Sequence, residues 1–180
     1  MQTTAGDRSL VSRMMRASRA EAHLYEEVER DVDATSQAAL VVLVVSIASG
    51  IGAIGTDTGV GGFIFGVIAA FVGWIVWSFV TYWVGKTLLK THETRVTPGE
   101  MLRTLGFARA PGVLNVLGII PFLGWFIWPV TWIWSLILGV VAIRQAMDFS
   151  TGRAIATGLI AFIPVAIIQA ILLAIPAAIF

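Results

Sequence analysis

The sequence predicts an all-α polytopic membrane protein, with five transmembrane helices behind an N-terminal amphipathic interfacial helix. Three observations carry that prediction. Hydrophobic residues make up 57% of the 180 and charged ones 13%, with a mean hydropathy of +0.87, which excludes an ordinary soluble domain. Four charge-free stretches, Ala34–Thr56, Thr58–Gly85, Ala110–Ile143 and Ala154–Phe180, each exceed the roughly 18 apolar residues of a transmembrane candidate. Finally, the twelve Lys and Arg residues fall in blocks that alternate with segments containing none. The expected division is a cytoplasmic amphipathic segment over 1–34 and a five-helix membrane domain over 35–180.

The opening segment, SLVSRMMRASRAEAHLYEEVERD, has helical periodicity. At 100° per residue, Leu10, Met14, Ala17, Leu24, Tyr25 and Val28 share one face, with Arg13, Arg16, Arg19, His23, Glu27 and Arg30 opposite. Such a helix is expected to lie in the interface, its bases attracted to anionic headgroups. Glu21 falls in the apolar arc and breaks the pattern. Six acids follow between Glu21 and Asp33, and five bases lie between Lys86 and Arg109; docking of the acidic stretch on the basic one is expected. The first apolar run starts behind this charged segment and is too long for a signal-peptide h-region.

The crossings are expected at about 36–56, 60–86, 102–120, 123–144 and 154–178. The run Ala110–Ile143 decides their number. As one straight helix it would be roughly 50 Å long against a hydrocarbon core of about 30 Å. Pro121 and Gly124 offer a break, since proline removes a helix hydrogen bond and glycine supplies turn freedom. Charge placement supports the hairpin: with it, all twelve bases face one side, and without it Arg144 and Arg153 move to the other. The half before the turn is short and must start upstream. TPGEML supplies the start, with Thr97 as N-cap, Pro98 in the first turn and Glu100 closing a capping box. The N-terminus is then cytoplasmic and the C-terminus outside.

That start places Arg109 about two turns below the surface. An ionisable group at that depth is either a functional site or a snorkelling stem. Asn115 and Pro111 lie close behind it, so Arg109 and Asn115 form a candidate polar pocket. In the second crossing Gly62, Gly66, Ala69 or Ala70, and Gly73 recur three or four apart, a stripe expected to allow close helix packing. The chain has no cysteine, no pair of carboxylates in a crossing and no histidine in one, so no catalytic or metal-ligating residues are assigned and no cofactor is expected.

The layout resembles the Yip family (Ypt/Rab-interacting, five-pass membrane proteins), in its bacterial branch. The resemblance rests on LYEEVERD before the first crossing, LRTLGFARAPGVLNVLGIIPFLG through the third, and the segment up to AIRQAMDFSTGRA between the fourth and fifth. It implies non-enzymatic work: binding small GTPases through cytoplasmic regions, and organising transport membranes. The DLYGP motif of the eukaryotic branch is not in this sequence.

The expected function is that of a non-enzymatic protein of the bacterial plasma membrane that organises membrane or recruits a partner. Its working face would comprise Tyr25, Glu26, Glu27, Asp31, Arg103, Arg109, Arg144 and Asp148. Partners are membrane lipids and a protein partner or a second copy, not nucleic acid. The alternative is a small transporter or channel for a lipid-like or uncharged solute. A path lined by Asn115, Ser135 and Gln169 would favour that alternative, and a dry, close-packed bundle the first reading.

Overall fold

Helices form wherever the sequence offers long apolar runs, because a helix satisfies its own backbone where water cannot. The computed structural model describes the backbone of residues 8–54, 59–92, 94–120 and 122–179, and the side chains of these except 59–61, 169 and 171–179. The order is α1 (Leu10–Ser18), α2 (Ala22–Arg30), α3 (Ala34–Gly52), α4 (Gly59–Leu88), α5 (Pro98–Phe107), a 3-10 segment (Ala110–Ile119), α6 (Gly124–Ala146) and α7 (Thr151–Ile179). Among the described residues, four helices are long and apolar enough to cross a membrane: Ala34–Gly52, Gly62–Leu88, Gly124–Ala146 and Thr151–Ile168. Pro121 and the 55–58 turn lie outside the described residues, as does the Gln169 side chain.

The expected third helix is a composite rod of α5 and the 3-10 segment. Its start has the expected chemistry: Thr97 accepts from the Glu100 amide at 3.3 Å, and the Thr97 amide donates to the Glu100 carboxylate at 2.8 Å. Beyond Phe107 the ladder tightens to 3-10 geometry over ten residues, far beyond the usual three or four. The reason lies in the side chains. A 3-10 helix has three residues per turn, so residues three apart eclipse. Gly112, Asn115 and Gly118 therefore form one straight line, and that line meets α3. A Cβ at Gly112 would come within 2.6 Å of Val45, and one at Gly118 within 2.9 Å of the Gly52 carbonyl oxygen. Asn115 donates to Ser49 Oγ at 3.0 Å. Leu114, Leu117 and Ile120, on a second line, are exposed.

Contacts between the rod and α3 rise together in number, Gly106 with Ala38, Gly112 with Val45 and Gly118 with Gly52, so the two run parallel. The chain then doubles back. Phe122 takes a left-handed φ of 68°, the Leu123 amide donates to the Ile120 carbonyl at 3.1 Å, and α6 begins at Gly124. Thr131 donates to Asn115 Oδ1 at 2.6 Å, while Trp128 lies against Gly118, an antiparallel order. The remaining helices complete a ring in which α3 meets α4, α4 meets α7, α7 meets α6 and α6 meets the rod.

At the end of the bundle where α3 begins and α4 ends, α1 and α2 pack on α5 and α6. They form a helical hairpin, not one helix. The turn between them has Ala20 at φ 58°, with Glu21 N–H bonded to the Arg16 carbonyl and Ala20 N–H to the Ala17 carbonyl, the double bond of a Schellman motif. Ala17, Leu24, Tyr25 and Val28 are fully buried, as the apolar arc requires. Arg13, placed on the opposite face by the wheel, is also buried, while Val11 and Met15 face outward with exposures of 64% and 53%. The helical wheel counts only angle; Arg13 turns inward because acceptors await it there.

Candidate functional site

Those acceptors make the charged end of the bundle a closed network. Arg13 Nε and Nη2 donate to Glu27 Oε1 at 3.0 and 2.8 Å, Nη2 also to Asp31 Oδ2 at 2.6 Å, and Nη1 to Gln37 Oε1 at 3.0 Å. Arg16 binds the other Glu27 oxygen at 2.7 Å and Glu21 at 3.2 Å. A buried guanidinium needs such saturation to offset its lost hydration. The Arg13 bond holds the Asp31 carboxyl below its usual range.

The acidic stretch therefore spends half of its six carboxylates, Glu21, Glu27 and Asp31, on arginines of its own segment. The basic stretch does reach it, but through one residue and by main chain. Buried Arg103 donates Nε to the Val28 carbonyl at 2.8 Å, Nη2 to the Glu29 carbonyl, and Nη1 to Thr35 Oγ1 at 3.4 Å. A cation on the last carbonyls of α2 also suits the helix dipole.

Of the eight residues expected on the working face, the structure leaves few open to solvent. Tyr25 is fully buried, its hydroxyl donating to the Ala17 carbonyl at 3.4 Å, and burial pushes its phenol pKa up. Glu27 and Asp31 are held by Arg13, and Arg103 by α2. Glu26 is half-buried and accepts from Gln145 at 3.5 Å. Arg144 and Asp148 are exposed at the end of α6, where Asp148 adopts a φ of 51° in a second Schellman turn closed by Phe149 N–H to the Arg144 carbonyl. The exposed bases at this end are Arg8, Arg19, Arg30, Lys86, Lys90, Arg95, Arg144 and Arg153, against exposed Asp33 and Asp148 among the described acids.

Glu29 is the group here that sequence reasoning missed. Desolvation, with Glu100, Asp148 and Glu26 adding repulsion and Arg30 opposing it, pushes its carboxyl up to about 7 from 4.5. A raised carboxyl pKa means that the folded form holds a proton the unfolded form has released. The resulting stability is complete below about pH 4.5 and is lost as pH rises through about 7. Glu29→Gln is expected to remove this slope, so that it unfolds later than wild type at pH 8 and no differently at pH 4.5. Thermal unfolding at the two pH values checks it.

Arg109 and Asn115 come together elsewhere. They line one cavity of about 1180 Å³ at the centre of the ring, walled by α3, α4, the rod, α6 and α7. It exceeds the roughly 300–1,000 Å³ of ordinary ligand pockets. Asn115 is committed to the wall, its amide group tied to Ser49 and Thr131. Arg109 is not committed: it is half-buried and lines the cavity, and no described residue provides its side chain with a hydrogen-bond or ion-pair partner.

The glycine stripe of α4 belongs to the same cavity. Gly62, Gly66, Ala70 and Gly73 line it, and a Cβ on Gly66 would meet nothing within 4 Å. At Gly66 the stripe holds space open instead of seating a neighbour. Gly139 on α6, also in the wall, is equally unobstructed. The most exposed lining residues are Leu159 (67%) on α7, Ile54 (66%) just beyond α3 and Trp132 (59%) on α6, so the cavity is open at the far end of α3 as well as sideways along α6 and α7. Ser135 also lines the cavity. The bundle is therefore not the close-packed one expected of the first functional reading.

A family model described as the Yip1 domain matches residues 19–174. No curated protein and no solved structure matches the chain.

Proposed function

Since the chain belongs to the Yip family and is a multi-pass membrane protein, we propose that it is a non-enzymatic organiser of its membrane, acting through a cationic cytoplasmic face. The observation that carries this reading is the inward turn of the acids. Glu21, Glu27 and Asp31 bind Arg13 and Arg16, so the bases left exposed at that end outnumber the exposed acids among the described residues. Such a face attracts anionic headgroups, at about 1 kcal/mol per base near the surface. The same face would receive a protein partner or a second copy, consistent with the family.

The reading takes the chain as 1–34 on the cytoplasmic side and 35–180 as five crossings, with the C-terminus outside and the bacterial plasma membrane as its site. The crossing beyond the four long apolar helices, third in chain order, is the rod. It lies along α3 from Thr35, bound by Arg103, to Gly52, against Gly118, a length of about 25 Å, close to a hydrocarbon core. Crossing there brings Arg144 and Arg153 to the side of the other bases. A second reading, passage of a lipid-like solute, is favoured by the central cavity.

In mixed vesicles of zwitterionic and anionic lipid, a fluorescent anionic lipid is expected to concentrate around the reconstituted protein. The enrichment should fall with added salt and fall again in the Arg19→Gln, Arg144→Gln, Arg153→Gln triple variant. Equal enrichment for variant and wild type would refute the cationic-face reading.

A further inference from the structure

We propose that the central cavity is a binding site for one anionic amphiphile, an oxyanion on a long apolar tail, with Arg109 holding the head and α4, α6 and α7 the tail. The argument starts from charge. A guanidinium at membrane depth costs a few kcal/mol or more unless paired, and Arg103 and Arg13 in this same protein are saturated by three or more acceptors. Arg109, deeper along the rod, has no side-chain partner among the described residues. Its planar fork of donors matches a carboxylate or a phosphate oxyanion. What completes it must therefore bring negative charge.

The walls say what accompanies that charge. They are largely apolar, with Ile143, Leu136, Leu159 and Phe162 among them, and the hydroxyl groups of Ser46 and Thr131 are occupied by carbonyls of their own helices or by Asn115. A hydrophilic anion would strand against such a surface. On α6 the wall runs from Trp128 to Ile143, about 22 Å of helix, which fits an extended chain. The open side along α6 and α7, at Trp132 and Leu159, would face lipid in the five-crossing reading, so the ligand can enter there without crossing water. Glycines at 66 and 139 keep the tail space empty.

The ligand class has two sources in a membrane, free fatty acids and lipid monophosphates. The probes are accordingly oleic acid, a long-chain monoalkyl phosphate, and oleyl alcohol as the uncharged control. Each is titrated against the full-length, delipidated protein in neutral detergent, with thermal unfolding and native mass spectrometry as readouts. Wild type is expected to take up one anion, to be stabilised by it, and to bind the alcohol on the order of tenfold more weakly or worse. Whichever anion binds tighter identifies the source.

Arg109→Gln is expected to lose that preference for the anion while unfolding no earlier than wild type when lipid-free, because an unpaired charge has been removed. An arginine that merely held the fold together would instead lose stability on substitution. Gly66→Leu with Gly139→Leu is expected to fill the tail space, abolish uptake and keep the melting temperature, which preserves the test if Arg109→Gln fails to fold. High salt should leave this binding in place, whereas it weakens the surface enrichment, so the two ideas fail separately. Equal affinity for anion and alcohol, or unchanged uptake by the filled-cavity variant, overturns the proposal.

Discussion

Gly52→Val is expected to cost about 3 kcal/mol or more, at the upper end of overpacking penalties, and to part α3 from the rod. The collision is with main chain. A Cβ at Gly52 would run into the Asn115 carbonyl oxygen, and the Gly118 Cα lies just beyond at 3.5 Å. A flexible side chain could swing aside; a carbonyl inside a helical ladder cannot. The displacement would also break the Asn115 hydrogen bonds to Ser49 and Thr131, leaving amide groups unsatisfied in a largely apolar wall. Gly66→Ala makes the control, since its Cβ meets open space and alanine gains about 1 kcal/mol of helix propensity over glycine. Unfolding of both in the same detergent should separate them in opposite directions; a Gly52→Val protein as stable as wild type would contradict the packing described.

Arg13→Met is expected to cost about 3 kcal/mol, the usual penalty for removing one partner of a buried ion pair. Methionine can fill the space of the aliphatic stem but leaves Asp31 without its cation and Glu27 with Arg16 alone. The two carboxylate side chains retain 26% and 21% of their exposure, too little for water to replace the lost bonds fully. The loss should carry a pH signature. In wild type the Asp31 pKa is depressed, so the stability it contributes is present above its ordinary value of about 3.8 and vanishes as pH falls through the lowered one. The variant should lack that acid-side decline. Denaturation followed from neutral to acid pH checks both parts, and parallel curves for the two proteins would remove the ion pair from the account.

Much of the backbone was readable from local chemistry. Thr97, Pro98 and Glu100 announce a helix start because cap, ring and carboxylate all act within one turn. The reversal before Gly124 followed from length and charge. The 3-10 ladder was not readable in the same way: Gly112, Asn115 and Gly118 matter only against α3, and spacing of three is equally a helix pattern. The site was less legible still. Tyr25 and Arg103 were expected on the working face, yet Arg103 binds main chain 75 residues away and Tyr25 is buried, its hydroxyl on the Ala17 carbonyl of the neighbouring helix. Arg109 was visible by depth alone. The open stripe at Gly66 was invisible, since small residues look alike whether they seat a helix or keep a space.

The 3-10 segment changes what ten residues can accomplish. At about 2.0 Å per residue they reach as far as roughly thirteen would in an α-helix. Any tally of bilayer spans that assumes a single rise per residue will judge this stretch too short. A tightened coil has lent a brief passage of sequence the stature of a full-length rod.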